Sequence, residues 1–173
     1  MKYSGKMSVR ELVNGAMIAA IYVVLTVMTQ AISFGPVQFR ISEALCILPV
    51  FTPAAIPGLY LGCVLANFLG GGVPMDIVFG SLATLIGAYG TWKLRTKKWA
   101  ACLPPIISNA LIVPFVLRFA YGSTDLIPWM MVTVGAGEVL AVGVCGNILR
   151  KALERHSDRI FGGQGISVRS AQR

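Results

Sequence analysis

Charge is scarce in this chain. Of its 173 residues 13% are charged and 55% are hydrophobic, and mean hydropathy is +0.72. A soluble domain carries about a quarter charged residues, so this composition excludes an ordinary soluble globular domain. Histidine is nearly absent. The single His156 lies in a polar C-terminal stretch, which excludes a multi-histidine metal site. The four cysteines, Cys46, Cys63, Cys102 and Cys145, each sit in an apolar run and form no CxxC pair, so they read as small apolar packing residues. No G-x-x-x-x-G-K-[ST] loop occurs, so the chain does not itself cradle ATP. The H-E-x-x-H and G-x-S-x-G arrangements of familiar hydrolases are missing too, and the chain reads as a non-enzyme with no cofactor of its own. No internal repeat is visible, which counts against a secondary transporter built from inverted repeats.

What is present is a series of long apolar runs. Residues 12–39, 44–75, 77–92 and 100–117 carry no charge, and 126–149 carries only Glu138. About 20 apolar residues make a spanning helix. The first run is longer than the core of a cleavable signal peptide, and the membrane pattern continues after it. Turn residues divide the chain into six segments, about 12–32, 41–51, 54–69, 76–92, 99–120 and 126–153. The expected fold class is therefore an all-α integral membrane protein with six transmembrane helices. Residues 1–155 form one transmembrane domain, and 156–173 are expected to be a polar, disordered tail.

The net charge of +8 does not point to nucleic acid, because the basic residues flank apolar runs. With the N-terminus assigned to the cytoplasm, thirteen of the fifteen Lys and Arg residues fall inside, and only Arg40 and Arg118 fall outside. This asymmetry predicts cytoplasmic termini at both ends and a multi-pass location in the cell membrane.

Three polar constellations interrupt the apolar runs. Gln38, Arg40 and Glu43 cluster where segment two begins; a helix would put Arg40 and Glu43 on one face, either as an ion pair anchoring a short helix or as ligand contacts. Asp76 opens segment four, as a helix cap, as an anion favoured by the helix dipole, or as a ligand contact. Glu138 lies about a dozen residues into segment six, where a carboxylate is costly unless paired or solvated. Function is the default reading there, with an interhelical pair to Arg40 as the alternative. Asn67 and Asn109 either bridge helices or, for Asn109, face a cavity. Trp129 suits an aromatic belt or a ring-stacking role. Ala16 and Ala20 are four apart on segment one and form a small-residue face that lets another helix approach closely.

The run Val37-Gln-Phe-Arg-Ile-Ser-Glu-Ala-Leu45, the 49–67 stretch with Pro57-Gly58 and Leu61-Gly62, and the run Asp76-Ile-Val-Phe-Gly-Ser-Leu-Ala-Thr84 resemble the QueT family over residues 12–155. That family comprises substrate-binding (S) components of energy-coupling factor (ECF) transporters. The resemblance implies an S-component-like six-helix bundle in a prokaryotic plasma membrane, with a pocket near the outer face. It implies uptake of a queuosine precursor, 7-aminomethyl-7-deazaguanine. It also implies partners: an ECF transmembrane coupling protein, docked on Ala16 and Ala20, and two cytoplasmic ATPases that use ATP. The chemistry is compatible. Carboxylates suit the ring N–H edge and the cationic aminomethyl group, Arg40 or an Asn amide suits the carbonyl, and Trp129 or Phe79 suits the flat ring. The competing readings are a self-sufficient secondary carrier for a small cationic or vitamin-like solute, with Asp76 or Glu138 binding a coupling proton, and a scaffold without a ligand.

Overall fold

The computed structural model describes residues 7–29, 40–97, 99–156 and 160–161, and among these it is all helical. Six helices follow in order: α1 (Val9–Met28), α2 (Ile41–Val50), α3 (Ala55–Leu69), α4 (Pro74–Lys93), α5 (Leu103–Phe119) and α6 (Ile127–Glu154). A 3₁₀ turn over Ala100–Cys102 leads directly into α5. Local chemistry sets several of the starts. Ser8 accepts from the Glu11 amide, and the Glu11 carboxylate accepts in return from the Ser8 amide at 2.8 Å, a capping box. Pro74 occupies the first turn of α4, where its missing N–H costs nothing.

The surface of this bundle is apolar, and its interior holds polar and charged side chains beside an apolar core. Leu103, Ile107, Leu111, Phe115 and Phe119 recur every four residues along α5 and are all exposed. Val13, Met17, Ile21, Val24 and Met28, three or four apart on α1, are exposed too. The buried set includes Arg40, Glu43, Asn67, Asp76, Asn109 and Glu138. Water would reverse this arrangement; hydrocarbon selects it, because an apolar solvent leaves polar groups no partners except one another. The protein is a multi-pass membrane protein. Among the described residues, three helical stretches are long and apolar enough to cross a bilayer by themselves: Val9–Met28, Ala100–Phe119 and Ile127–Glu154. Of the others, α4 has the length but carries Asp76 and several small or hydroxyl residues, and α2 and α3 are shorter.

Helix α2 departs from an ordinary span. It is a 3₁₀ helix of 10 residues, and every residue from Ser42 to Val50 is buried. At ~2 Å per residue it covers roughly 20 Å, short of a ~30 Å core. It is enclosed by the other helices, and the Leu45–Phe51 stretch belongs to the apolar core with Tyr22, Leu59, Cys63 and Val142. Helices α1 and α3 meet through small residues. A Cβ added to Gly58 would lie 2.5 Å from the Gly15 carbonyl oxygen, and one on Gly62 would lie 2.9 Å from the Tyr22 Cβ. Helix α6 changes its winding midway: α-helical to Glu138, π-helical over Val139–Gly146, and α-helical again over Asn147–Glu154. Within the stretch expected to be an unstructured tail, Phe161 is buried and stacks on Phe51 with ring centroids 5.8 Å apart.

Candidate functional site

Four elements bring polar side chains together at one end of the bundle. Arg40 immediately precedes α2, Asn67 lies in the last turn of α3, Asp76 in the first turn of α4, and Tyr121 just past the end of α5. The turn from α3 to α4 makes this possible. Gly71 takes a positive φ of 74°, open to glycine at no steric cost, and the Gly72 amide donates to the Asn67 carbonyl at 2.8 Å. The chain thus reverses within five residues and sets Asp76 against Asn67.

Arg40 is 6% exposed and Asp76 1%. One guanidinium nitrogen of Arg40 pairs with Asp76 Oδ2 at 3.4 Å, and another donates to Asn67 Oδ1 at 3.2 Å. Asn67 also donates to the Asp76 backbone carbonyl at 3.3 Å, and the Tyr121 hydroxyl donates to Asp76 Oδ2 at 3.1 Å. Asp76 Oδ1 has no hydrogen-bond partner among the described residues. It lies against Gly80 one turn along, where an added Cβ would come within 2.8 Å, so a side chain at that position would crowd this buried oxygen.

Deeper in the bundle a second group centres on Glu43. Its carboxylate accepts from the Tyr22 hydroxyl of α1, from the Cys46 thiol at 2.9 Å and from the Thr84 hydroxyl of α4 at 3.4 Å. Beside it, Thr26 donates to Ser42 at 2.7 Å. Glu138 is 4% exposed and sits where α6 passes into its π-helical stretch, with the Asn109 amide of α5 beside its carboxylate and Glu43 within electrostatic reach. π turns widen a helix and often accompany functional sites. Glu138 Oε2 has no partner among the described residues, and neither has the buried Ser81 hydroxyl.

A profile of the QueT transporter family matches residues 12–155. The chain belongs to the QueT transporter family. A relative described as the queuosine precursor transporter QueT of Lactococcus lactis subsp. cremoris (strain MG1363) is 40% identical over 78 residues, 44% of this chain and 46% of that protein. The aligned stretch thus spans under half of that relative's length. No solved structure matches this chain.

For this QueT-family chain the structure buries Arg40, Glu43, Asp76, Asn109 and Glu138 as an electrostatic network: one hydrogen-bonded group around Arg40 and Asp76, a second around Glu43, and Glu138 beside Asn109 within electrostatic reach of both. Two of the readings left open, the partner of Arg40 and the cap of α4, are corrected by the geometry. Among the described residues, Arg40 pairs with Asp76 rather than with Glu43 or Glu138, because Arg40 precedes α2 in extended backbone, off the helical face of Glu43, and the tight α3–α4 turn brings Asp76 to it. Asp76 does not cap α4, whose N-cap is Val73; it lies three residues in, where the helix dipole still favours an anion. Trp129 lies outside the network and is 61% exposed, the setting of an aromatic belt. Gln38 falls outside the described residues. Ala16 and Ala20 are exposed on α1, while the alternate small positions Gly15 and Ala19 are consumed by packing against α3. Sequence reasoning missed Tyr22, Thr84 and Tyr121 and read Asn67 only as a helix bridge. Spacing carried a signal for some of them. Tyr22 and Thr26 are four apart, as are Asp76, Gly80 and Thr84, so each set lines one helical face.

Proposed function

We propose that this chain is the substrate-capture subunit of an ECF-type ABC uptake transporter for a queuosine precursor, 7-aminomethyl-7-deazaguanine. In this reading the chain crosses the membrane six times with both termini in the cytoplasm, and the end of the bundle carrying Arg40 and Asp76 faces outward. Energy comes from partners: a transmembrane coupling protein that docks on the exposed Ala16 and Ala20 of α1, and two cytoplasmic ATPases. The binding set is Arg40, Asp76, Asn109 and Glu138, with Glu43 supporting it and Gln38 at its margin.

The observation that carries this reading is the pair of open carboxylate oxygens in a membrane interior. Asp76 Oδ1 and Glu138 Oε2 are buried without partners among the described residues. A buried acceptor left unmade costs on the order of 1–3 kcal/mol, more when charged, so a chain retains such groups where a ligand completes them. Three carboxylates face one guanidinium in this network, and that balance favours a cation. A deazaguanine bearing an aminomethyl group supplies two ring-edge N–H groups and an ammonium. The name of the Lactococcus relative points to the same substrate class.

Mass spectrometry of small molecules that copurify with the chain tests the substrate. Recovery of a 7-deazaguanine supports the reading, and recovery of an unrelated solute overturns it. Uptake assays test the energy source. Uptake should stop when the cytoplasmic ATPases are absent, whereas accumulation by vesicles containing this chain alone, driven by a proton gradient, would establish a self-sufficient carrier instead.

A further inference from the structure

The three carboxylates of the network are not equivalent, and their hydrogen bonds give each a different task. Glu43 is already satisfied: Tyr22, Cys46 and Thr84 donate to it from α1, α2 and α4. Those neutral donors reach it from three helices, so Glu43 works as a clamp between elements. Asp76 already has a cation, because Arg40 holds Oδ2, and Tyr121 adds a neutral donor to the same oxygen. What Asp76 offers is its open Oδ1, next to a guanidinium. Glu138 differs from both. It is 4% exposed, no cationic side chain lies within ion-pair distance of it among the described residues, and Oε2 is unpartnered. Its neighbours are the Asn109 amide and a second carboxylate, Glu43.

We infer that Glu138 is the ion-pair partner of the substrate's cationic amine, and that Asp76 with Arg40 reads the neutral edge of the ring. The inference rests on the proposed capture of a 7-deazaguanine and adds the ligand's orientation. The edge of a deazaguanine presents N–H donors beside a carbonyl acceptor. Asp76 Oδ1 beside the Arg40 guanidinium presents the complement, an acceptor beside donors. An ammonium placed at that end would meet Arg40, a like charge. At Glu138 it meets an uncompensated carboxylate next to a second one, and it relieves their repulsion. Glu138 is the twelfth residue of α6, so at ~1.5 Å per residue it lies roughly 17 Å below the start of that helix. The amine therefore points deeper into the bundle, and the ring lies toward the end that carries Arg40 and Asp76.

The test is titration calorimetry of the full-length chain in detergent with 7-aminomethyl-7-deazaguanine and with its neutral 7-methyl analogue. The native chain should prefer the amine by about tenfold or more. Glu138→Gln should bring that preference below about threefold by weakening the amine alone. Asp76→Asn should weaken both ligands to a similar factor and keep the preference. Glu138→Asp, which keeps the charge, should retain most of the preference, and ligand-free melting of each variant identifies any fold defect separately. If Asp76→Asn abolishes the preference while Glu138→Gln keeps it, the orientation is reversed and the inference is overturned. Equal losses of both ligands in Glu138→Gln also overturn it. If the native chain binds neither ligand, it is the proposed substrate that fails.

Discussion

The close approach of α1 and α3 can be tested at a single hydrogen. Gly58→Ala places a methyl group 2.5 Å from the Gly15 carbonyl oxygen and 3.1 Å from the Gly15 Cα, with α3 supplying the new atom and α1 the obstruction. The nearer distance is about 0.9 Å short of the 3.4 Å at which ordinary contact begins. Both obstructing atoms are backbone, so no rotamer change relieves them, and α1 has to shift bodily. Overpacking of this kind costs about 1–3 kcal/mol. Replacing a helical glycine by alanine recovers roughly 0.5–1 kcal/mol in conformational entropy. The mid-range net loss is about 1.3 kcal/mol, which lowers Tm by about 3–5 °C for a chain of this size. Gly135→Ala is the control, because its added Cβ would meet nothing nearer than the Ala110 methyl at 3.6 Å. Only the entropic gain operates there, and Tm should stay level or rise. The assay is thermal unfolding in detergent followed by tryptophan fluorescence. Ligand affinity should also fall in Gly58→Ala, because Tyr22 moves with α1 and carries its bond to Glu43 with it. If Gly58→Ala melts at or above Gly135→Ala, the α1–α3 contact is not as close as described and the reasoning fails.

Three further outcomes follow from the same geometry. Ala20→Trp on the exposed face of α1 should abolish uptake yet leave ligand affinity unchanged; loss of both would mean the face is structural. Arg40→Leu should destabilise by about 3–5 kcal/mol by leaving Asp76 buried without its partner, whereas Arg40→Met with Asp76→Leu should recover most of the stability in a melting assay while remaining unable to bind ligand. For topology, Lys97→Cys should react with a membrane-impermeant thiol reagent only from the cytoplasmic side and Asp125→Cys only from outside, in a background lacking the native cysteines; labelling of both from one side would refute the six-span arrangement.

The apolar runs by themselves determined that the chain is helical and membrane-embedded. In hydrocarbon every backbone amide must bond within its own segment, so uninterrupted apolar stretches leave one solution. Proline and glycine marked where those stretches stop: Gly70-Gly71-Gly72 before Pro74 is the α3–α4 turn, and the helix termini fall close to such residues. The cost of a charge inside a span also singled out Glu138 without any coordinates, while Arg40, Glu43 and Asp76 drew notice as charges at the ends of apolar runs. Tertiary structure decided who partners whom. Arg40 and Glu43 are three apart in sequence and look like a pair. Yet ion pairing depends on distances across helices: Arg40 lies in extended backbone before α2 and meets Asp76, thirty-six positions away, while Glu43, inside α2, meets Tyr22 and Thr84. Neither the winding of α2 nor the π-helical stretch after Glu138 is legible from local propensity, because both arise where neighbouring helices constrain a short buried segment. The same holds for the two small-residue faces of α1. Gly15 with Ala19 and Ala16 with Ala20 have the same spacing in sequence, and only the position of α3 determines that one is covered and the other left exposed.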